Sequence, residues 1–128
     1  MARALRFAEN FAHNLDRIQT FLLDHDPASS PARFSALLED LERAGALLVE
    51  APELGRPAAF LGSRAPRVLM LGRRLQELAN AVHVRHLREY VLRGCLVLYA
   101  VRDDELVFLA IRAQRERRYA LRVRAPVP

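Results

Sequence analysis

The sequence contains no lysine, a single cysteine and no long hydrophobic run. Every apolar stretch falls short of the ~20 residues that a membrane-spanning helix needs, and no hydrophobic stretch of signal-peptide length opens the chain. Cys95 has no second cysteine to pair with inside the chain, as expected in a reducing compartment. Because it lies in the apolar run 95–99, Cys95 is predicted to be a buried hydrophobic residue and not a nucleophile. We therefore expect a cytoplasmic protein with no membrane partner.

The length of the chain limits its organisation to one domain. With 128 residues it can bury a single hydrophobic core but is too short to divide comfortably into two. Its composition, 52% hydrophobic and 27% charged, is typical of soluble globular proteins. A single domain over residues 1–128 is the prediction.

The positive charge is concentrated near the C-terminus. All 20 basic residues are arginine, and six of them lie between residues 112 and 124 with Glu116 as the single acid there. The other 14 arginines are balanced by 14 acids, so the net charge of +5 comes from the basic C-terminal segment, residues 112–128. This concentration favours a surface that binds a polyanion or an acidic partner. Two alternatives stay open: a GC-rich genome would account for arginine in place of lysine, and charge repulsion on an edge strand would account for the segment.

A short strand and two amphipathic helices are predicted in the first 50 residues. Alternation over residues 3–9 indicates the strand. The first helix has Asn10 as its N-cap and ends near Asp24, and the second has Ser30 as its N-cap with Pro31 in its first position. Residues at helical spacing form the two apolar faces: Phe11, Leu15, Ile18 and Leu22, then Phe34, Leu37, Leu38, Leu41 and Leu48. Because the connection is short, the helices should form an antiparallel hairpin.

The rest of the chain predicts a small sheet. Residues 87–92, 95–101 and 106–111 have strand length and are separated by tight turns, which is typical of an antiparallel meander. A final edge strand is predicted at 119–124, and an inserted helix within 63–86, either from Pro66 or over the shorter range 73–81. The predicted fold is α+β with two layers: an N-terminal helical hairpin packed on a small, antiparallel-dominated sheet, with an extra inserted helix.

The order and spacing of these elements resemble the ParE/RelE superfamily of small bacterial toxins, which includes plasmid stabilisation proteins. The most specific motif is Pro-Glu-Leu-Gly-Arg-Pro at Pro52–Pro57 after the helical hairpin, followed by Arg88 and Glu89 near the start of a strand. Residues 114–116 and Tyr119 are similar to the RQRE ending of many ParE-like chains.

The resemblance covers residues 3–62 and 86–119, with two departures. The connection 63–86 is longer than usual and is predicted to be an insertion. Ala113 occupies the position, just after the last strand, where relatives often carry a histidine.

The resemblance implies a toxin of a type II toxin–antitoxin system. ParE-type relatives interfere with DNA gyrase, whereas RelE-type relatives cleave mRNA on the ribosome. The Pro52–Pro57 motif and Ala113 favour the ParE type; a RelE-like endonuclease, or a decayed toxin that only binds its antitoxin, are the alternatives. A cognate antitoxin is the expected partner, and the expected assembly is a homodimer or a toxin–antitoxin hetero-oligomer. Its disordered acidic segment would complement the arginines while its apolar residues fill the groove beside the helical hairpin.

The residues expected to bind the target are mostly basic: Arg88, Arg112, Arg115, Arg117, Arg118 and Tyr119. Cleavage of mRNA would need a general base, a general acid and positive charge at the transition state. The candidates for those roles are Tyr119, Glu89 and Arg115, with Glu116 as a second candidate base. No cofactor is predicted, and no metal, because neither the four histidines nor the acidic turn 103–105 has the spacing of a ligand set.

Overall fold

The computed structural model describes residues 3–58 and 86–116. In chain order their helices and strands are β1 (Ala4–Phe7), α1 (Glu9–His25), α2 (Ser30–Glu50), β2 (Arg56–Pro57), β3 (His86–Leu92), β4 (Cys95–Val101) and β5 (Glu105–Ala113). A short 3₁₀ turn, Pro52–Leu54, connects α2 to β2. The helix predicted from Pro66 and the edge strand predicted at 119–124 fall on residues outside these ranges. Neither α1 nor α2 has the length and hydropathy of a membrane span.

The five described strands form one mostly antiparallel sheet. Their order is β1-β5-β4-β3-β2, so that the first and last described strands of the chain are neighbours. β1 runs parallel to β5, and the other three neighbouring pairs are antiparallel. The two helices pack on one face of this sheet, with α1 lying mainly on β5. The predicted α+β architecture, a helical hairpin on an antiparallel-dominated sheet, is confirmed.

Apolar side chains are buried on both faces of the sheet. On the helix-facing side, one cluster contains Phe11, Leu37, Leu41 and Leu48 from the helices with Val97, Tyr99 and Phe108 from the strands. On the other side, a second cluster contains Leu96, Leu98, Ala100, Val107 and Leu109. Successive strand residues point to opposite faces, so β4 is buried at every position. This is why its sequence is continuously apolar and does not alternate.

The predicted apolar faces of the helices are largely correct. Phe11, Leu37, Leu41 and Leu48 are buried, and Leu15, Ile18 and Phe34 pack against them with partial exposure. Leu38 is the exception, because 42% of it is exposed.

Both helices begin earlier than predicted, α1 by two residues and α2 by one. α1 has Ala8 as its N-cap, and Asn10 is buried within the first turn. The backbone N–H of Ala8 donates to Phe108 O (2.9 Å), so pairing with β5 continues up to the first residue of the helix. α2 has Ser29 in the N-cap position. The Ser29 hydroxyl donates to Asp26 Oδ2, and this hydrogen bond lowers the pKa of the Asp26 carboxyl.

Two asparagines of α1 hydrogen-bond to the backbone of β5 beyond the end of β1. Asn10 Nδ2 donates to Leu109 O (3.0 Å), and Asn14 Oδ1 accepts from the backbone N–H of Ile111 (3.1 Å) and from Asn10 Nδ2 (3.3 Å). β5 has a bulge here, because its register with β4 shifts and Leu109 lies opposite no β4 residue. The two side chains therefore satisfy buried backbone groups that a strand would otherwise pair.

Candidate functional site

A buried tyrosine hydrogen-bonds to the backbone of the loop after α2, Pro52–Pro57. The Tyr99 hydroxyl donates to Pro52 O and accepts from the backbone N–H of Gly55 (3.0 Å). Tyr99 is fully buried, and burial raises the pKa of its hydroxyl. A neutral hydroxyl is what this arrangement needs, because the group both donates and accepts.

We expect Tyr99 to make stability fall at alkaline pH. The unfolded chain ionises this tyrosine near its ordinary pKa of about 10, while the folded chain does so only at higher pH. The contribution of Tyr99 is therefore fully present below about pH 10 and is lost as the pH rises through the raised folded pKa. Urea unfolding midpoints measured from about pH 8 to 11 should fall more steeply for the wild type than for Tyr99→Phe. Parallel profiles would contradict this prediction.

Arg88, predicted to bind the target, lies against the same loop. Its Nε and Nη2 donate to Gly55 O (3.1 and 2.6 Å), and Nη2 also donates to Glu53 O (3.2 Å). Together with Tyr99, this guanidinium fixes the backbone of the loop on the edge of the sheet. Binding of a target by Arg88 stays a prediction, and three of its hydrogen bonds are made within the protein.

Glu89, a predicted candidate base, is a buried member of an ion pair. It lies on β3 directly opposite Arg56 of β2, and its Oε1 is 3.7 Å from Arg56 Nε. Only 3% of Glu89 is exposed, whereas a general base must come within hydrogen-bond reach of the substrate. Its catalytic role stays a prediction, and its surroundings are those of a structural carboxylate.

An open groove of about 1250 Å³ lies beside the helical hairpin. We call it the hairpin groove: α1 and α2 form one wall, and the β3–β4 turn with the end of β5 and residues 114–116 forms the other. Its apolar lining includes Ile18, Leu22, Leu37 and Ile111. The groove thus extends from the apolar face of the hairpin to the start of the basic C-terminal segment.

The hairpin groove carries arginines that lack carboxylate partners. Five arginines and four carboxylates line it. Arg33 pairs with Asp26 (3.5 Å), and Arg43 pairs with Asp40. The other three arginines have no ion pair in the described part of the chain: Arg17, Arg93 and Arg115.

Arg115, predicted to bind the target, crosses from the end of the sheet to α1. Its Cζ lies 4.3 Å from the centroid of the Phe21 ring, a cation–π contact. The His25 ring stacks on the same phenylalanine, with centroids 3.9 Å apart. Sequence reasoning missed this contact. The available signal was the recurrence of Arg17, Phe21 and His25 every four residues, which places them on one side of α1.

Arg112 turns towards its own backbone. Its Nη1 donates to the carbonyls of Ala113 (3.4 Å), Gln114 (3.5 Å) and Glu116, and so closes the turn after β5. Ala113 is the last residue of β5 and lines the hairpin groove. Arg112 and Arg115 therefore make separate contacts. The other predicted target-binding residues, Arg117, Arg118 and Tyr119, lie outside the described residues.

The surroundings of Cys95 disfavour the reactive thiolate form. The residue is buried, as predicted, and burial raises the pKa of the thiol. Among residues 3–58 and 86–116, no three His, Cys, Asp or Glu side chains are grouped closely enough to hold a metal ion.

Comparison with known proteins identifies a matching family and a similar solved structure. A family model described as the ParE toxin of the type II toxin–antitoxin system parDE matches residues 5–118. A solved structure of the chromosomal ParDE TA system from P. aeruginosa is similar with a TM-score of 0.54 and 15% sequence identity, over 88% of this chain and 96% of that chain. At that identity the similarity concerns the fold. A comparison with curated proteins gave no match.

Proposed function

Because the chain belongs to the ParE toxin family of type II toxin–antitoxin systems, we propose that it inhibits bacterial growth by interfering with DNA gyrase and is neutralised by a cognate antitoxin. The observation that carries this proposal is the family match over residues 5–118, which includes both helices and nearly all of the described sheet. The Pro52–Pro57 motif and the alanine at position 113 support the ParE branch.

The hairpin groove is the proposed docking site for the antitoxin. An amphipathic segment fits its apolar lining, and acidic side chains on that segment would pair with Arg17, Arg93 and Arg115. A segment that folds as it binds can use both features at once, since it orders around the surface that it covers.

The proposed target-binding surface is the basic C-terminal segment with the residues that lead into it. Arg112 and Arg115 lie at its start, and Arg117, Arg118 and Tyr119 follow directly in the sequence. For Arg88 we propose a supporting role, because its guanidinium holds the loop at Pro52–Pro57.

Cleavage of mRNA on the ribosome is the alternative. It would require Glu89 or Glu116 as a base and Tyr119 or Arg115 at the transition state. The burial and ion pairing of Glu89 favour a non-catalytic role for this carboxylate. A decayed toxin that only binds its antitoxin is the third outcome that an experiment must separate.

Induced expression of the full chain in bacteria tests the proposal. We expect growth arrest with DNA damage, loss of supercoiling activity when purified gyrase is mixed with the protein, and recovery of growth when the product of the adjacent gene is co-expressed. Transcript ends mapped inside codons would support the RelE-like alternative instead. Normal growth, together with binding of the adjacent gene product, would indicate a decayed toxin.

A double Arg115→Ala/Arg118→Ala variant should be much less toxic. Losing one charge-assisted contact of about 1.5 kcal/mol weakens target binding roughly tenfold, so arrest should require at least that much more protein. Arg6→Ala/Arg43→Ala is the matched control, because it removes two charges from exposed side chains paired with Glu105 and Asp40. Equal toxicity of the two double variants would exclude the basic segment as the working surface.

A further inference from the structure

Arg115 belongs to two surfaces at once. It lines the hairpin groove, and it is also the first exposed arginine of the basic C-terminal segment. Its guanidinium rests on Phe21 of α1 (4.3 Å from Cζ to the ring centroid) and has no carboxylate partner among the described residues. The residues just before it are tied down, since Gln114 N donates to Gly94 O (2.9 Å). The Phe21 contact is therefore a tether between the end of the sheet and α1.

We propose that the Phe21–Arg115 contact is a latch, and that an acidic segment entering the hairpin groove opens it by drawing Arg115 off the ring. This inference rests on the proposed docking of the antitoxin in the groove and adds how docking affects the toxin. Occupation of the groove then changes the position of Arg115, and with it the start of the basic segment.

The physical argument is a competition for one cation. An exposed cation–π contact is weak, so the closed state, with Arg115 on the ring, is favoured over the open state only about two- to fivefold. A carboxylate in the groove offers Arg115 a stronger, charge-assisted hydrogen bond. Phe21 is 38% exposed, so nothing holds the guanidinium on the ring by burial. The latch opens when the carboxylate lies where Arg115 can reach it only by leaving the ring, and this opening lowers the apparent affinity for that partner by the same small factor.

This coupling predicts that a substitution in the hairpin groove can strengthen binding of the acidic segment. Removing the ring in Phe21→Leu should tighten binding of an acidic segment by about two- to fivefold, because Arg115 no longer has to leave the ring. If Phe21 instead contacts the partner directly, the same substitution weakens binding. The probe is a synthetic amphipathic peptide with leucines at helical spacing and glutamate at its other positions, labelled for fluorescence anisotropy.

The control is a double-variant cycle with the full-length protein. In an Arg115→Gln background the probe should bind more weakly, and Phe21→Leu should then have no further effect. In an Arg93→Gln background, which removes a groove arginine that does not contact the ring, Phe21→Leu should still tighten binding. Leu23→Ala, an exposed apolar change on α1 outside the groove, should leave the affinity unchanged.

A second measurement uses the wild-type chain, in case Phe21→Leu does not fold. The ring current of Phe21 should shift the Nε–Hε resonance of Arg115, and saturating probe should remove that shift. Binding with an unchanged shift, or equal affinities of wild type and Phe21→Leu, would overturn the latch and leave antitoxin docking intact. Failure of the probe to bind any of these proteins would overturn both the latch and the acidic docking, without affecting growth arrest or gyrase inhibition.

Discussion

Replacing Gly55 by alanine should destabilise the protein by about 3 kcal/mol, because the added methyl group overfills a tightly packed site. A Cβ atom at Gly55 would lie 2.6 Å from the carbonyl oxygen of Glu89 and 2.7 Å from Tyr99 Cε1, and it would also overlap the Tyr99 hydroxyl. Gly55 has an ordinary φ of −73°, so glycine is required here by contact and not by backbone conformation. To admit the methyl group, the loop must move off β3 and give up its hydrogen bonds to Tyr99 and Arg88. Urea unfolding followed by circular dichroism measures the loss.

Gly45→Ala is the matched control for Gly55→Ala. The three atoms nearest to its added Cβ all belong to the Leu5 side chain, with Cδ2 at 2.5 Å, and the end of a leucine side chain can rotate away. Alanine also favours the interior of α2 by about 1 kcal/mol over glycine, which offsets part of the adjustment. We expect the control to unfold within about 1 kcal/mol of the wild type. A Gly55→Ala protein as stable as the control would show that the loop moves at little cost.

The main architecture was predictable because hydrophobic periodicity changes along the chain. The spacing of Phe11, Leu15 and Ile18 indicates a helix, and the runs 95–101 and 106–111 indicate strands joined by a charged turn. The parallel pairing of β1 with β5 was not predictable. It joins residues about 100 positions apart, and a strand of four residues carries no local sign of its partner. β2 has only two residues, too few for a pattern.

The candidate site was less predictable, because it depends on polar contacts between distant residues. Tyr99 has the sequence surroundings of a core residue in an apolar strand, and nothing local shows that its hydroxyl binds a loop 44 residues earlier. Arg88 likewise resembles a surface cation in the sequence, because nothing local shows that its guanidinium binds Gly55 O in that loop. In α1, the apolar positions define the helix, and their spacing does not show that the polar Asn10 and Asn14 face β5.

The second large effect is expected at Asn14. Asn14→Ala should destabilise the protein by about 2 kcal/mol, because it leaves the buried N–H of Ile111 without its acceptor. The same change removes a partner of Asn10 Nδ2. Asn14 and Ile111 both line the hairpin groove, so the loss occurs where β5 leads into Arg112 and Arg115. Urea unfolding measures the total loss in the free energy of unfolding. Amide hydrogen exchange at Ile111 should accelerate more than at Val97 in the adjacent strand.

Two comparisons separate this hydrogen bond from a general effect of shortening a side chain. Gln19→Ala, an exposed change on the same helix, should alter stability by no more than about 0.5 kcal/mol. Asn10→Ala/Asn14→Ala should cost less than the sum of the single variants, because each single change leaves the other amide with a missing partner. Strict additivity would mean that the two asparagines act independently. Unchanged exchange at Ile111 would mean that another group replaces Asn14 at the bulge, and the link between α1 and the end of β5 would then not depend on this side chain.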